Sequence, residues 1–202
     1  MGAARMDQAR GDQAGVGQTA PGSAPSAEDL ATVAAQLGRE PRGVLAIAYR
    51  TPDRVPAVVT TAPRLPDGTP FPTLFYLTDP RLTAEASRLE SAGVMRRMEA
   101  LLRSDAAVAA NYRAAHEAFL AERNAIEDLG TDFSGGGMPD RVKCLHVLIA
   151  YALAKGPGTV WLGDEAVALA GDAGLRGTAV PADWPRARAG WYETDPETPG
   201  DR

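Results

Sequence analysis

The chain carries one cysteine, Cys144, and two histidines, His116 and His146, in 202 residues. A single thiol excludes an intrachain disulfide and any cysteine-only metal site within one chain. Lysine is nearly absent, since Lys143 and Lys155 stand against 19 arginines. No basic cluster is longer than the Arg96, Arg97 pair, and the net charge is −5, so nucleic acid meets no continuous electrostatic footprint. Long apolar runs are missing too. The longest, Cys144 to Ala154, is interrupted by His146 and falls short of the ~20 residues that a membrane-spanning helix needs. The opening MGAARMDQARGDQ has no apolar core for a secretory signal, and Met6 stands where a myristoylation motif wants Ser or Thr. These absences lead to the expectation of a soluble, cytoplasmic protein with neither nucleic acid nor membrane as partner. The alanine and arginine load reads as the coding bias of a GC-rich bacterium.

Large apolar residues are scarce as well. Leu, Ile, Val and Phe together number 38, no more than alanine alone, which is near the roughly 20% floor for compact folding. The deficit sits at the ends, because residues 1–26 hold only Val16 of that set and residues 176–202 only Val180. The expectation is one domain over residues 27–175, with disordered tails at 1–26 and 176–202. Trp184, Trp191 and Tyr192 in the second tail read either as a short docking motif or as part of that disordered end.

Within the domain, Ser26 precedes Leu30, Val33, Ala34 and Leu37 at helical spacing, with Asp29 placed for a capping box and Gly38 as the stop. VLAIAYR and AVVTTA, separated by TPDRVP, predict an antiparallel hairpin. PRLPDGTPFPT forbids regular structure, and LFYLT predicts a third strand. From Asp79 the pattern turns helical: Asp79 and Pro80 start a helix carrying Leu82, Ala86 and Leu89, and Gly93 ends or bends it. A second helix runs to about Arg103. A third, capped by Ser104, places Val108, Tyr112, Ala115 and Phe119 on one face and fades near Leu129. After the glycine-rich GTDFSGGGMPD, Asp140 or a residue just before Pro139 is expected to cap a last helix ending at Lys155, Gly156. The fold class is α+β, a small antiparallel sheet packed against a helical second half.

The stretches LGREPRGVLAIAYR, TAPRLPDGTPFPTLFYLTDPRL, RLESAGVM and GGMPDRVKCLHVLIAYAL resemble the bacterial domain-of-unknown-function family 501 over about residues 36–165. The resemblance implies a shared fold and a shared site without naming a reaction. It also implies that relatives carry cysteines where this chain has Thr51 and Asp79, alongside Cys144 and His146. Such relatives would be equipped for a cysteine and histidine metal or cluster site. Here Thr51, Asp79 and Cys144 would be a vestigial cluster. That set is short of the four ligands that a structural zinc wants, so no tightly bound metal is expected and no cofactor is implied.

The candidate proton carriers are His146 and His116. Cys144 and His146 form the obvious nucleophile and base pair, but two residues apart on a helix they point about 200° apart, unless the helix begins after Cys144. Each also has a bland reading, Cys144 as a small buried hydrophobe and the histidines as singly hydrogen-bonded groups at the border of a core. Gly135, Gly136 and Gly137, read as opening a helix, would form an anion-binding end, and Arg141 and Lys143 in its first turn would favour an anion there. Arg64 and Arg81 offer guanidinium forks opposite. The alternative is that the glycines only connect and the arginines pair with Asp67 and Glu85. GGGMPDR lacks Walker spacing, so no nucleoside triphosphate is implied. Two functional readings follow. One is a pocket for a small anion, phosphate or carboxylate, whether of a binding protein or of an enzyme acting on such a metabolite. The other is a non-catalytic module for a protein partner.

Overall fold

The computed structural model describes residues 22–186. The expected disordered ends, and with them Trp191 and Tyr192, otherwise lie outside the described residues. A three-stranded antiparallel sheet and six helices follow one another in the order α1 (Ala27–Leu37), β1 (Val44–Arg50), β2 (Pro56–Thr61), β3 (Phe75–Leu77), α2 (Pro80–Ser91), α3 (Val94–Ser104), α4 (Ala106–Ile126), α5 (Leu145–Lys155) and α6 (Trp161–Ala170). A π-helical turn, Gly171–Leu175, extends α6. No helix among the described residues is long and apolar enough to cross a membrane.

The α+β architecture is the expected one. β2 lies between β1 and β3, with Ile47 opposite Val59 and Val58 opposite Leu77, and all six of its residues are buried. Because successive side chains of a strand point to opposite faces, Val58 and Val59 serve different cores. Val58 joins the large one, shared with Leu82, Met98, Phe119, Ile149 and Tyr151 from the helices. Val59 joins a small one with Ile47 and Val33, under α1. The sheet therefore stands between α1 on one side and the bundle of α2 to α6 on the other.

Local chemistry explains the element ends that the sequence announces. The Ser26 hydroxyl accepts from the Asp29 amide (3.1 Å) while the Asp29 carboxylate accepts from the Ser26 amide (2.9 Å), a complete capping box. The same carboxylate takes both Arg50 guanidinium nitrogens, at 2.6 and 2.8 Å, and is held well below the usual carboxylate range by that fork. Asp79 caps α2 through the amides of Arg81 and Leu82, with Pro80 at the first helical position. Asp105, rather than Ser104, caps α4. Just before α1, Ser23 and Ile47 exchange both backbone hydrogen bonds, at 3.0 and 2.8 Å.

Three features differ from the sequence expectation. The helix after the glycine run starts at Leu145, not near Asp140, and residues 141–144 run without helical structure. α6 was not expected at all. Eight of its ten residues are buried, among them Asp164 and Glu165, so it has no polar stripe to reveal a period. The packed domain also continues past residue 175. Ala179, Val180 and Trp184 are buried, the Trp184 indole donates to the Asp164 carbonyl (3.2 Å), and the Tyr49 hydroxyl donates to the Ala179 carbonyl (3.2 Å). Trp184 is thus part of the core and not of a loose end.

Candidate functional site

The start of α5 brings three reactive side chains together. Cys144 is the residue before the first helical turn, in extended conformation (φ −157°, ψ 116°), so the helical-wheel separation from His146 does not apply. Its Sγ lies 3.8 Å from His146 Nδ1. Glu90, in the last turn of α2, places Oε1 3.2 Å from the same nitrogen and accepts the Leu145 amide at 2.7 Å. One turn back on α2, Ser87 Oγ lies 3.4 Å from His146 Nε2. The three ligand-type atoms of Glu90, Cys144 and His146 all fall within 4.8 Å of one another, and each residue is partly exposed.

Glu90 has a structural duty here. No side chain local to α5 caps its first turn, and the carboxylate from α2 satisfies one of the orphan amides instead. Ahead of the helix, Glu99 accepts the Val142 amide at 3.3 Å. A negative group thus already occupies the N-terminal end of α5. His146 is pushed up to about 9, through its hydrogen bond to Cys144 first and the Glu90 carboxylate next, against an opposing effect of burial. The imidazole is therefore cationic at neutral pH.

The glycine run has a different purpose from the expected one. It forms a turn closed by Lys143 N–H to Gly136 O (2.7 Å) and Arg141 N–H to Gly137 O (2.9 Å), and it does not open a helix. Gly137 has φ +91°, and a Cβ there would come within 2.8 Å of the Arg141 carbonyl oxygen. These glycines let two chain segments touch. Gly137→Ala is accordingly expected to cost about 2 kcal/mol of stability, combining left-handed strain with backbone crowding, which a urea denaturation midpoint measures.

The remaining expected site residues are dispersed. Arg141 and Lys143 are exposed and in no ion pair among the described residues. Arg64 pairs with Glu127 (2.7 Å) and Arg81 with its neighbour Asp79 (2.7 Å), so neither surface partner is the one expected, and Asp67 and Glu85 are taken by Arg42 and Arg88. His116, buried on α4, meets Ser134 Oγ at 2.9 Å; burial is the main cause that lowers its pKa, and it behaves as a singly bonded core histidine. The vestigial cluster is not assembled. Asp79 caps one end of α2 while Glu90, with Cys144, is at the other, about 16 Å away along a helix rising 1.5 Å per residue. Thr51 closes the β1–β2 connection by accepting from the Val55 amide (3.1 Å).

A second feature was not expected. Between the C-terminal end of α1 and the sheet lies a cleft of about 250 Å³, with Leu37, Val44 and the buried Val59 inside it. Phe71 and Tyr76 line it as a tilted pair 6.1 Å apart, and the exposed Arg39 and Arg42 complete the wall. Arg42 is held by Asp67 in a pair with both side chains about half exposed, 49% and 51%, a contact worth little that a ligand can displace. The available signal was the placing of two arginines around Pro41. For Glu90, it was an acid in the last turn of a helix, where the dipole disfavours it.

Residues 47–168 match the family model described as Protein of unknown function (DUF501), and the chain belongs to that family. No curated protein and no solved structure matches it. The Glu90, Cys144, His146 group lies inside the matched span, as do Phe71 and Tyr76, while Arg39 and Arg42 precede it.

Proposed function

We propose that this member of the DUF501 family binds a small organic anion, a carboxylate or phosphate ester with an apolar body, in the cleft between α1 and the sheet. The observation that carries the reading is the pairing of two guanidinium groups with aromatic and aliphatic walls in one concavity, the combination by which small-molecule sites fix one polar end and bury the rest. The volume, below the roughly 300–1,000 Å³ of drug-sized sites, suits a small metabolite. The sheet separates the cleft from His146, and no histidine lines it, so the reading is of a binding site rather than a centre for proton transfer. We place its action in the bacterial cytoplasm, on the support of composition and the free thiol.

The rival reading, a docking module, has less behind it. Among the described residues the exposed large apolar side chains are only Leu30 in α1, Leu45 in β1 and Phe133 in the loop after α4, where a docking face calls for an apolar patch of several hundred Å².

Thermal-shift and calorimetric titrations with phenyl-substituted carboxylates, their neutral amides and inorganic phosphate test the proposal. The carboxylates are expected to raise the melting temperature and the amides to leave it unchanged. Arg42→Ala should weaken binding by about tenfold, the loss of one charge-assisted contact. If Lys143→Ala removes the response and Arg42→Ala does not, the anion sits at the glycine turn and the cleft is the wrong place.

A further inference from the structure

We infer that Glu90, Cys144 and His146 form a zinc site with three protein ligands and one open position. The argument begins with the separations of the donor atoms. Tetrahedral zinc with Zn–S near 2.3 Å and Zn–N and Zn–O near 2.0–2.1 Å sets its sulfur and nitrogen ligands about 3.6 Å apart and its nitrogen and oxygen ligands about 3.3 Å apart. The corresponding distances here are 3.8 Å for Cys144 Sγ to His146 Nδ1 and 3.2 Å for Glu90 Oε1 to His146 Nδ1. Cys144 Sγ and Glu90 Oε1 lie within 4.8 Å of each other, and rotation of the partly exposed Cys144 and Glu90 side chains brings that third pair to the roughly 3.6 Å that a shared zinc sets.

The donor types select the ion. Thiolate and imidazole together favour zinc, and harder ions such as magnesium and calcium take oxygen donors. Two anionic donors, the Cys144 thiolate and the Glu90 carboxylate, neutralise its charge of two. Coordination displaces the protons carried by Cys144 Sγ and His146 Nδ1, and both leave to solvent.

The surroundings are those of a metal ligand set. A histidine that binds metal through one nitrogen usually donates from the other, and His146 Nε2 faces Ser87 Oγ at 3.4 Å. Glu90 Oε1 is steered by the Leu145 amide at 2.7 Å and keeps a further lone pair. The three ligands come from two packed helices, α2 and the start of α5, so the fold and not the ion sets their spacing. All three are partly exposed, which leaves the fourth position to water. Three protein ligands and a water are the pattern of a zinc that polarises a bound molecule, in contrast to the four of a structural ion. This site is distinct from the cleft, and either stands without the other.

The test is a titration of the full chain, stripped of metal by chelator, with cobalt(II) and then zinc(II). One equivalent of cobalt should bind, with a thiolate-to-cobalt charge-transfer band in the near ultraviolet and the intense visible bands of a four-coordinate ion, and zinc should abolish both. Cys144→Ser should lose the charge-transfer band. Glu90→Gln, which keeps an oxygen for the Leu145 amide, should weaken binding by more than the roughly 10–100-fold that loss of an outer partner costs, and Ser87→Ala should fall within that range. His116→Gln should bind as the parent does. Far-ultraviolet circular dichroism of each stripped variant confirms that it is folded. Absence of the charge-transfer band from the parent protein, or its persistence in Cys144→Ser, overturns the site. So does a loss of binding in His116→Gln equal to that in Glu90→Gln.

Discussion

Phe119→Ala is expected to remove about 3–5 kcal/mol of folding stability, the range for truncating a fully buried phenylalanine. Phe119 sits at the meeting of α4 with the sheet and α5. Its ring stands edge-on to Phe75 (centroids 6.0 Å apart) and to Tyr151 (5.3 Å), which are themselves stacked at 5.6 Å. All three are fully buried, and the Tyr151 hydroxyl is satisfied by the Ala115 carbonyl at 3.0 Å. Such pairs contribute about 0.5–1.5 kcal/mol beyond their buried area, and the neighbours lie on different elements, so the cavity has little freedom to collapse. Phe119→Leu should cost markedly less. Guanidinium denaturation measures both, and a loss below about 1 kcal/mol for the alanine variant would contradict this account of the core.

Acidifying the solution from neutral pH should make the protein more stable. Asp164 is buried in α6, where one oxygen accepts the Gly158 amide (2.8 Å) and the other has no hydrogen-bond partner. Burial pushes its carboxyl from 3.8 up to about 6. A raised carboxyl binds its proton more tightly in the folded chain, so folding loses stability as pH rises from 3.8 through about 6, by roughly 3 kcal/mol in total. Glu165 beside it is raised by burial, in the same direction, with Arg186 at 2.9 Å opposing. His146 adds to the trend from the alkaline side, since its contribution is complete below 6.5 and disappears as pH climbs through about 9. His116, depressed by burial, works against the trend as pH falls below 6.5, so the Asp164 and Glu165 carboxyls must outweigh it, and Asp29, whose carboxyl is depressed by Arg50, withdraws its contribution only below 3.8. The stability maximum is therefore expected near pH 4 to 5, more acidic than the usual optimum between about 5 and 8. Asp164→Asn mimics the protonated acid and should raise stability at pH 7 while flattening the profile between 4 and 6. Melting temperatures across that range decide it: a parent protein no more stable at pH 5 than at 7.5 refutes the prediction, and an Asp164→Asn profile parallel to the parent's moves its origin to another group.

What the sequence discloses divides along chemical lines. Where an element is set by neighbours in the chain, as with Ser26 and Asp29, or Asp79 and Pro80, or the short apolar run VLAIAYR bounded by turn residues, the expected element is the observed one. The start of α5 escaped because the group that caps it, Glu90, is 55 residues away from Leu145. The same distance hid the candidate site, since Cys144 and His146 converge only when the helix begins at Leu145. α6 escaped because a helix buried on every side has no amphipathic period, and its two acids read as surface residues. The cleft draws on α1, all three strands and the proline-rich loop, a convergence no local pattern records. The expected link between Thr51, Asp79 and Cys144 failed on the length of α2, which keeps its two ends apart.

The exchange of backbone bonds between Ser23 and Ile47 bears on how copies of this chain behave toward each other. β1 is an outer strand, and its free row of amides and carbonyls would otherwise be a template on which a strand from another molecule could add, the first step of edge-to-edge aggregation. Ser23 occupies the middle of that row, and the register shifts along β1 bend the rest of it. At the opposite edge β3 offers only three residues. The few residues ahead of α1 thereby close the middle of that edge to strand addition, a duty their small and polar side chains do not reveal.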